Sequence, residues 1–275
     1  MNNSTGNFTT STNTRTHSIG LVECVNICSH SFSFLVGLPT HLYVAWLIMR
    51  GAGSGVALEF FILNLSIEEI GFSMYCLTSV LSKWFSFIVD FNLFLVGLII
   101  SGRPLFQCLI CVERYLAVVH PVTFLKYKPL RYRVICCIAI WIIILGYCLS
   151  CMFILPSHTI VYLWFLSVQF SLFFSIQLFC LVAVLRALKQ SGPGERGRER
   201  GEENHMKRRA FYLILITTVT MVITYVPYCI AGFFTIVTNQ LIDAQWFSGW
   251  LLYVLGGFVQ PVLYLHRAGK LSCLL

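Results

Sequence analysis

Two arginines interrupt an otherwise oily stretch, GLIISGRPLFQCLICVERYLAVVHP, that runs from Gly97 to Pro121. Arg114 stands near one end of it, inside Glu113-Arg114-Tyr115, where a membrane surface can receive a cation. Arg103 stands in the middle, followed by Pro104. A cation at the centre of an apolar span costs roughly 2.5 to 3.5 kcal/mol on insertion scales, so Arg103 calls for an acidic partner. A second oily stretch offers two, Glu68 and Glu69. Neighbouring helical residues point ~100° apart, so a single partner helix meets one of them squarely. Glu69 is the first choice. Glu68 is the rival acid, placed to face lipid in its protonated form. The chemistry on offer is charge pairing away from water. There is no His-x-x-x-His pair, no Gly-x-Ser-x-Gly elbow and no phosphate loop, so no enzyme activity, metal or cofactor is expected.

The elements that position these charges follow from composition. With 57% hydrophobic, 15% aromatic and only 11% charged residues, the chain is far too apolar for a soluble domain, whose charged share is about 25%. Stretches of roughly 20 mostly apolar residues occur seven times. They predict an all-α, seven-transmembrane helix bundle with spans near 25–49, 56–81, 84–118, 134–155, 160–188, 208–236 and 246–266. Membrane barrels alternate apolar and polar residues over ~10-residue segments, whereas these runs are continuous. At 1.5 Å per residue, Arg103 and Glu69 lie ~23 Å and ~21 Å from the same end of their spans, so their depths agree.

Of the 19 lysines and arginines, sixteen lie in or beside 50–55, 114–133, 186–209 and 267–270, which seven spans put on one side. The positive-inside rule then places the N-terminus outside and the C-terminus in the cytoplasm. Residues 1–24 form a polar extracellular tail with glycosylation sequons at Asn2, Asn3 and Asn7, 25–266 the membrane domain, and 267–275 a short cytoplasmic tail. Between the fifth and sixth spans, 190–205 is charged and Gly-rich and reads as a flexible cytoplasmic loop. Lys126, Lys128, Arg131, Arg133, Arg186, Lys189, Lys207, Arg208 and Arg209 flank spans and suit anionic headgroups as well as a protein partner. The net charge of +8 is spread along these boundaries, so membrane lipids are expected partners and nucleic acid is not. Most cysteines fall in spans, where they act as small hydrophobes; Cys273, just beyond the last, is a palmitoylation candidate.

Several of these residues together resemble the rhodopsin-like (class A) G-protein-coupled receptors, as an atypical, orphan-like member. Glu113-Arg114-Tyr115 followed by His120-Pro121, LNLSIEE with Asn64 and Glu69, Trp141, YVPY from Tyr225 to Tyr228, and QPVLY from Gln260 to Tyr264 fall in order on the expected spans. The departures are His41 for an asparagine, Tyr225 for a tryptophan and Gln260 for an asparagine. Val89 also stands where the extracellular disulfide would begin, and Val96 where amine receptors carry an aspartate.

The resemblance implies a receptor that passes an extracellular ligand signal to a heterotrimeric G protein, acting as a plasma-membrane transducer. It implies a coupling switch at Glu113, Arg114, Tyr115, Pro261 and Tyr264, and a sixth-span hinge at Tyr225 and Pro227. Glu69 matches the acid that holds a sodium ion in many such receptors, with Arg103 where a small polar residue usually touches that ion. Polar candidates in the outer half are Asp90, Asn92, His158, Tyr162, Gln169 and Asp243, which define no ligand class. The alternatives are an ion-conducting or transport protein, since intramembrane charges also mark ion paths, and a receptor-shaped protein that binds without signalling.

Overall fold

In the computed structural model, residues 21–51, 56–127, 130–190, 198–238 and 243–267 are described. These are helical apart from short turns, and seven helical stretches are long and apolar enough to cross a membrane. The first span joins α1 (Leu21–Phe32) to α2 (Leu38–Met49) through a π-helical turn, Ser33–Gly37. Pro39 explains it: a proline lacks the amide proton and its ring presses on the carbonyl four residues back, which a wider turn relieves. The second span is α3 (Val56–Leu81) and the third α4 (Val89–Val119), followed by the short α5 (Pro121–Tyr127). The fourth to sixth are α6 (Leu130–Ile154), α7 (Thr159–Gln190) and α8 (Arg198–Thr238). The seventh is α9 (Asp243–Gly257) and α10 (Val259–Arg267).

The third span is the axis. It packs against α3, α6, α7 and α8, and 72% of its apolar window is buried, against 22% in the fourth span. Outer helices therefore keep apolar side chains such as Ile142, Phe153, Val168 and Phe233 on the bundle's outside, where lipid replaces water. Close approach is built in at Gly97, where a β-carbon would meet the Cys148 backbone and lie 2.6 Å from the Tyr147 carbonyl. Threonines inside the sixth span satisfy their hydroxyls within it: Thr217, Thr218 and Thr220 each donate to a carbonyl four residues back at 2.8 Å. Trp141 Nε1 donates to Asn64 Oδ1 at 2.9 Å and ties the fourth span to the second.

Three helices differ in detail from plain apolar runs. The third helix starts at Val89 and not near 84, because Phe85 is extended and a short 3₁₀ turn, Ser86–Ile88, re-aims the chain. The sixth helix begins at Arg198, inside the segment expected to be loop to 205. Arginine and glutamate are good helix formers, and Arg198 with Glu202 and Glu203 with Lys207 have the four-residue spacing that favours a helix. The seventh span is interrupted at Phe258, since Pro261 cannot donate to the carbonyl of Gly257. Asn2, Asn3, Asn7 and Cys273 lie outside the described residues.

Candidate functional site

At the centre of the bundle, α4 and α3 bring Arg103 and Glu69 together. Arg103 Nε donates to Glu69 Oε1 at 2.5 Å and Nη2 to Oε2 at 2.8 Å, a bidentate pair with both side chains buried. Arg103 Nη1 donates to the Tyr253 carbonyl of the seventh span at 2.6 Å, and the guanidinium carbon lies 3.7 Å from the centre of the Tyr253 ring. The seventh span can come this close because residue 257 is glycine; a β-carbon there would sit 2.8 Å from Arg103 Nη2. His41 Nε2 of the first span is 3.9 Å from Glu69 Oε2. One arginine thus links the second, third and seventh helices, and the second shares its acid with the first.

Glu68 is where the sequence misleads. It does not face lipid: it is fully buried, with its side chain packed against Gly102 of α4, and neither carboxylate oxygen has a hydrogen-bond partner among the described residues. Nine of the eleven residues from Gly97 to Gln107 are buried, so α4 buries nearly its whole circumference and covers both faces of α3 that carry the acids.

A second cluster closes one end of the bundle. Glu113 is buried, with Arg114 Nη2 at 3.7 Å from one oxygen and Arg133 Nη2 of α6 at 3.5 Å from the other. Arg133 was expected at the headgroups; it is buried instead, because the start of α6 leans on the end of α4. Tyr115 pairs with His120, its hydroxyl 2.9 Å from Nε2. Tyr264 is buried in the core cluster that includes Ile62, Leu65 and Ile110, while Gln260, one turn before it, donates to Thr217 of the sixth span at 3.3 Å.

The opposite end holds a cavity of about 820 Å3. Its floor includes Tyr225 and Tyr253, set edge-on with ring centres 6.0 Å apart, so Tyr253 separates the cavity from Arg103. Pro227 lies two residues from Tyr225, inside α8. At the mouth Lys83 is paired with Glu23 at 2.8 Å. His30 stacks on Trp250 with ring centres 4.3 Å apart. Of the polar candidates read from the sequence, Tyr162 lines the cavity; Asn92 is instead bonded to Thr78 and Gln169 to the Ile100 carbonyl. Asp90 and His158 are not in its wall, and the side chain of Asp243 is outside the described residues.

Seven membrane-crossing helices around a buried ion pair, with a cavity at one end and an arginine cluster at the other, define a polytopic bundle with the layout of a transmembrane receptor. Comparison with known proteins carries this further. The chain is 28% identical to mouse (Mus musculus) chemokine XC receptor 1 over 226 residues, 74% of this chain and 64% of that receptor. It is 24% identical to the rat (Rattus norvegicus) uracil nucleotide/cysteinyl leukotriene receptor over 225 residues, 73% and 64% of the two chains. With human (Homo sapiens) chemokine XC receptor 1 the identity is 30% over 213 residues, 71% and 60%. The chain therefore spans somewhat under two thirds of the length of these relatives. No protein-family model matches it. The relatives are class A G-protein-coupled receptors, a family without enzyme activity, and this chain is similar to them over about 70% of its length, with seven helices long and apolar enough to cross a membrane.

Proposed function

We propose that the chain is a G-protein-coupled receptor, oriented with the Lys83 end outside and the Arg114 end in the cytoplasm. The observation that carries this is the buried Glu113 held between Arg114 and Arg133 at the end opposite the cavity. A ligand entering the cavity presses on Tyr225 and Tyr253. The sixth span turns at Pro227, whose missing amide weakens the helix there, and its cytoplasmic half swings outward. Arg114, at the rim and held by a 3.7 Å contact, is then free to exchange Glu113 for the G protein. Tyr115, Pro261 and Tyr264 shape that opening. The strong basic bias of the boundary segments at the Arg114 end supports the orientation.

In the same reading, Arg103 stands as a built-in cation on Glu69, where many receptors of this kind hold sodium. A guanidinium tethered at 2.5 and 2.8 Å fills the coordination space and neutralises the acid, so no free ion is needed. Among the described residues the buried charges at the centre are gathered in one place, Arg103 on Glu69 with Glu68 and His41 beside it, an arrangement that favours a structural pair over a conduction path.

The test is a small-molecule library applied to cells expressing the chain, with second messengers and whole-cell current recorded together. The expected result is at least one compound that changes cyclic AMP or calcium with no current. Currents evoked without a second-messenger response would establish the ion-conducting alternative instead.

A further inference from the structure

We infer that the 820 Å3 cavity takes an uncharged amphipathic small molecule: an aromatic or aliphatic body lying in the third-to-sixth-span half and a hydrogen-bond donor on His30. The inference rests on the receptor reading for its biological meaning, but its grounds are the cavity's own groups. Among the described residues its wall holds one cation, Lys83, and one carboxylate, Glu23, and each is the other's partner at 2.8 Å. A polyanion such as a nucleotide would need several unmatched cations, and an ammonium would need a free acid; either would have to break this pair and leave a charge behind.

The far half offers a body little beyond contact. It is walled by groups such as Ile100, Leu163, Leu166 and Phe170; three hydroxyls of the cavity wall are already engaged, and that of Tyr225 is the buried one without a hydrogen-bond partner among the described residues. Ser167 donates to the Leu163 carbonyl at 3.1 Å, Tyr253 to the Ile99 carbonyl at 2.8 Å, and the Tyr162 hydroxyl meets Cys151 Sγ at 3.0 Å. Burial there is driven mainly by apolar area.

His30 differs. Its Nδ1 lies 2.8 Å from the Asn26 carbonyl, which can only accept, so Nδ1 carries the proton and Nε2 is the ring's acceptor. The ring is fixed flat on Trp250, at an interplanar angle of 12°, and forms part of the wall. A preoriented acceptor at one side of an apolar chamber selects a hydroxyl, amide or aromatic amine over an ether or hydrocarbon. Cavities of this size and lining are typical of small-molecule sites.

The probe is 1-aminoanthracene, uncharged at neutral pH, with an aromatic body and an N–H donor, whose fluorescence rises on leaving water. The full chain in lipid nanodiscs is titrated against empty nanodiscs, alongside anthracene and 1-anthracenesulfonate. The expected result is saturable, protein-dependent fluorescence for the amine and none for the sulfonate. Gly232→Phe should abolish it by filling the cavity; a β-carbon there meets only Leu163 Cδ2, at 3.6 Å, so the substitution is accommodated. Val96→Phe is a second filler should the first not fold, circular dichroism being the check. His30→Phe, which keeps the stack on Trp250, should weaken the amine about tenfold, the worth of one hydrogen bond, and leave anthracene unchanged. The inference is overturned if the amine behaves as in empty nanodiscs, if folded fillers leave its binding intact, if His30→Phe weakens both probes alike, or if the sulfonate binds as well. Binding is read without a G protein, so such a failure leaves the coupling reading standing, whereas binding in a chain that never signals counts against that reading alone.

Discussion

Replacing Arg114 with alanine is expected to abolish G-protein activation while leaving the protein folded and at the cell surface. Its guanidinium is partly exposed and touches Glu113 at 3.7 Å, longer than a strong charge-assisted bond. Removing it leaves Glu113 with Arg133, 3.5 Å away and buried beside it, so no acid is stranded. The stability cost should therefore be small, under about 1 kcal/mol. The coupling cost should be nearly complete, because no neighbouring cation projects from the same rim position of α4. Surface labelling and G-protein activation measured at matched expression check this, with a compound active on the wild type. Activation that persists would make Arg114 a boundary anchor and nothing more.

The second large effect concerns the centre. Glu69→Gln and Arg103→Gln should each sharply reduce folded, surface-exposed protein, and the double mutant should recover a substantial part. Breaking a buried pair by removing one partner typically costs about 3–5 kcal/mol, since the survivor keeps its desolvation penalty without its attraction. Arg103→Gln leaves Glu69 beside the already unpartnered Glu68, so it should be the worse of the two. Glu69→Gln leaves the Tyr253 carbonyl and ring in place around the guanidinium, which softens the loss. Thermal unfolding of the four proteins in one detergent gives the coupling term directly. Strictly additive midpoints would mean that the two charges do not stabilise each other.

Much of this frame was legible in the sequence, for a physical reason. A bilayer imposes length and apolarity on every span, so the seven runs could be counted, and it penalises a central charge so heavily that Arg103 had to find an acid at its own depth. What depth could not settle was rotation about each helix axis. Glu68 and Glu69 are equally deep, and only the packing of α4 over both faces of α3 shows that neither meets lipid. Arg133 reads like any boundary cation, because a headgroup anchor and a buried partner have the same sequence neighbourhood. The Glu23 and Lys83 pair spans 60 residues, and the His30 stack on Trp250 joins the first and seventh spans; local pattern carries no trace of either. The Tyr253 contact is made by a carbonyl, which every residue has. The turn at Phe258 and the π turn before Pro39 both lie beside prolines, but a proline alone does not say which form the helix takes around it.

We propose that this bundle supplies its own cation at Glu69, the acid that the resemblance to class A receptors would give a sodium ion. The purified chain should therefore unfold at the same temperature in sodium chloride and in N-methylglucamine chloride at equal ionic strength, while Arg103→Ser, which frees Glu69 and restores a small hydroxyl, should be stabilised by sodium as its concentration rises. A sodium-dependent shift in the wild-type midpoint, with no gain of dependence in Arg103→Ser, would contradict the claim.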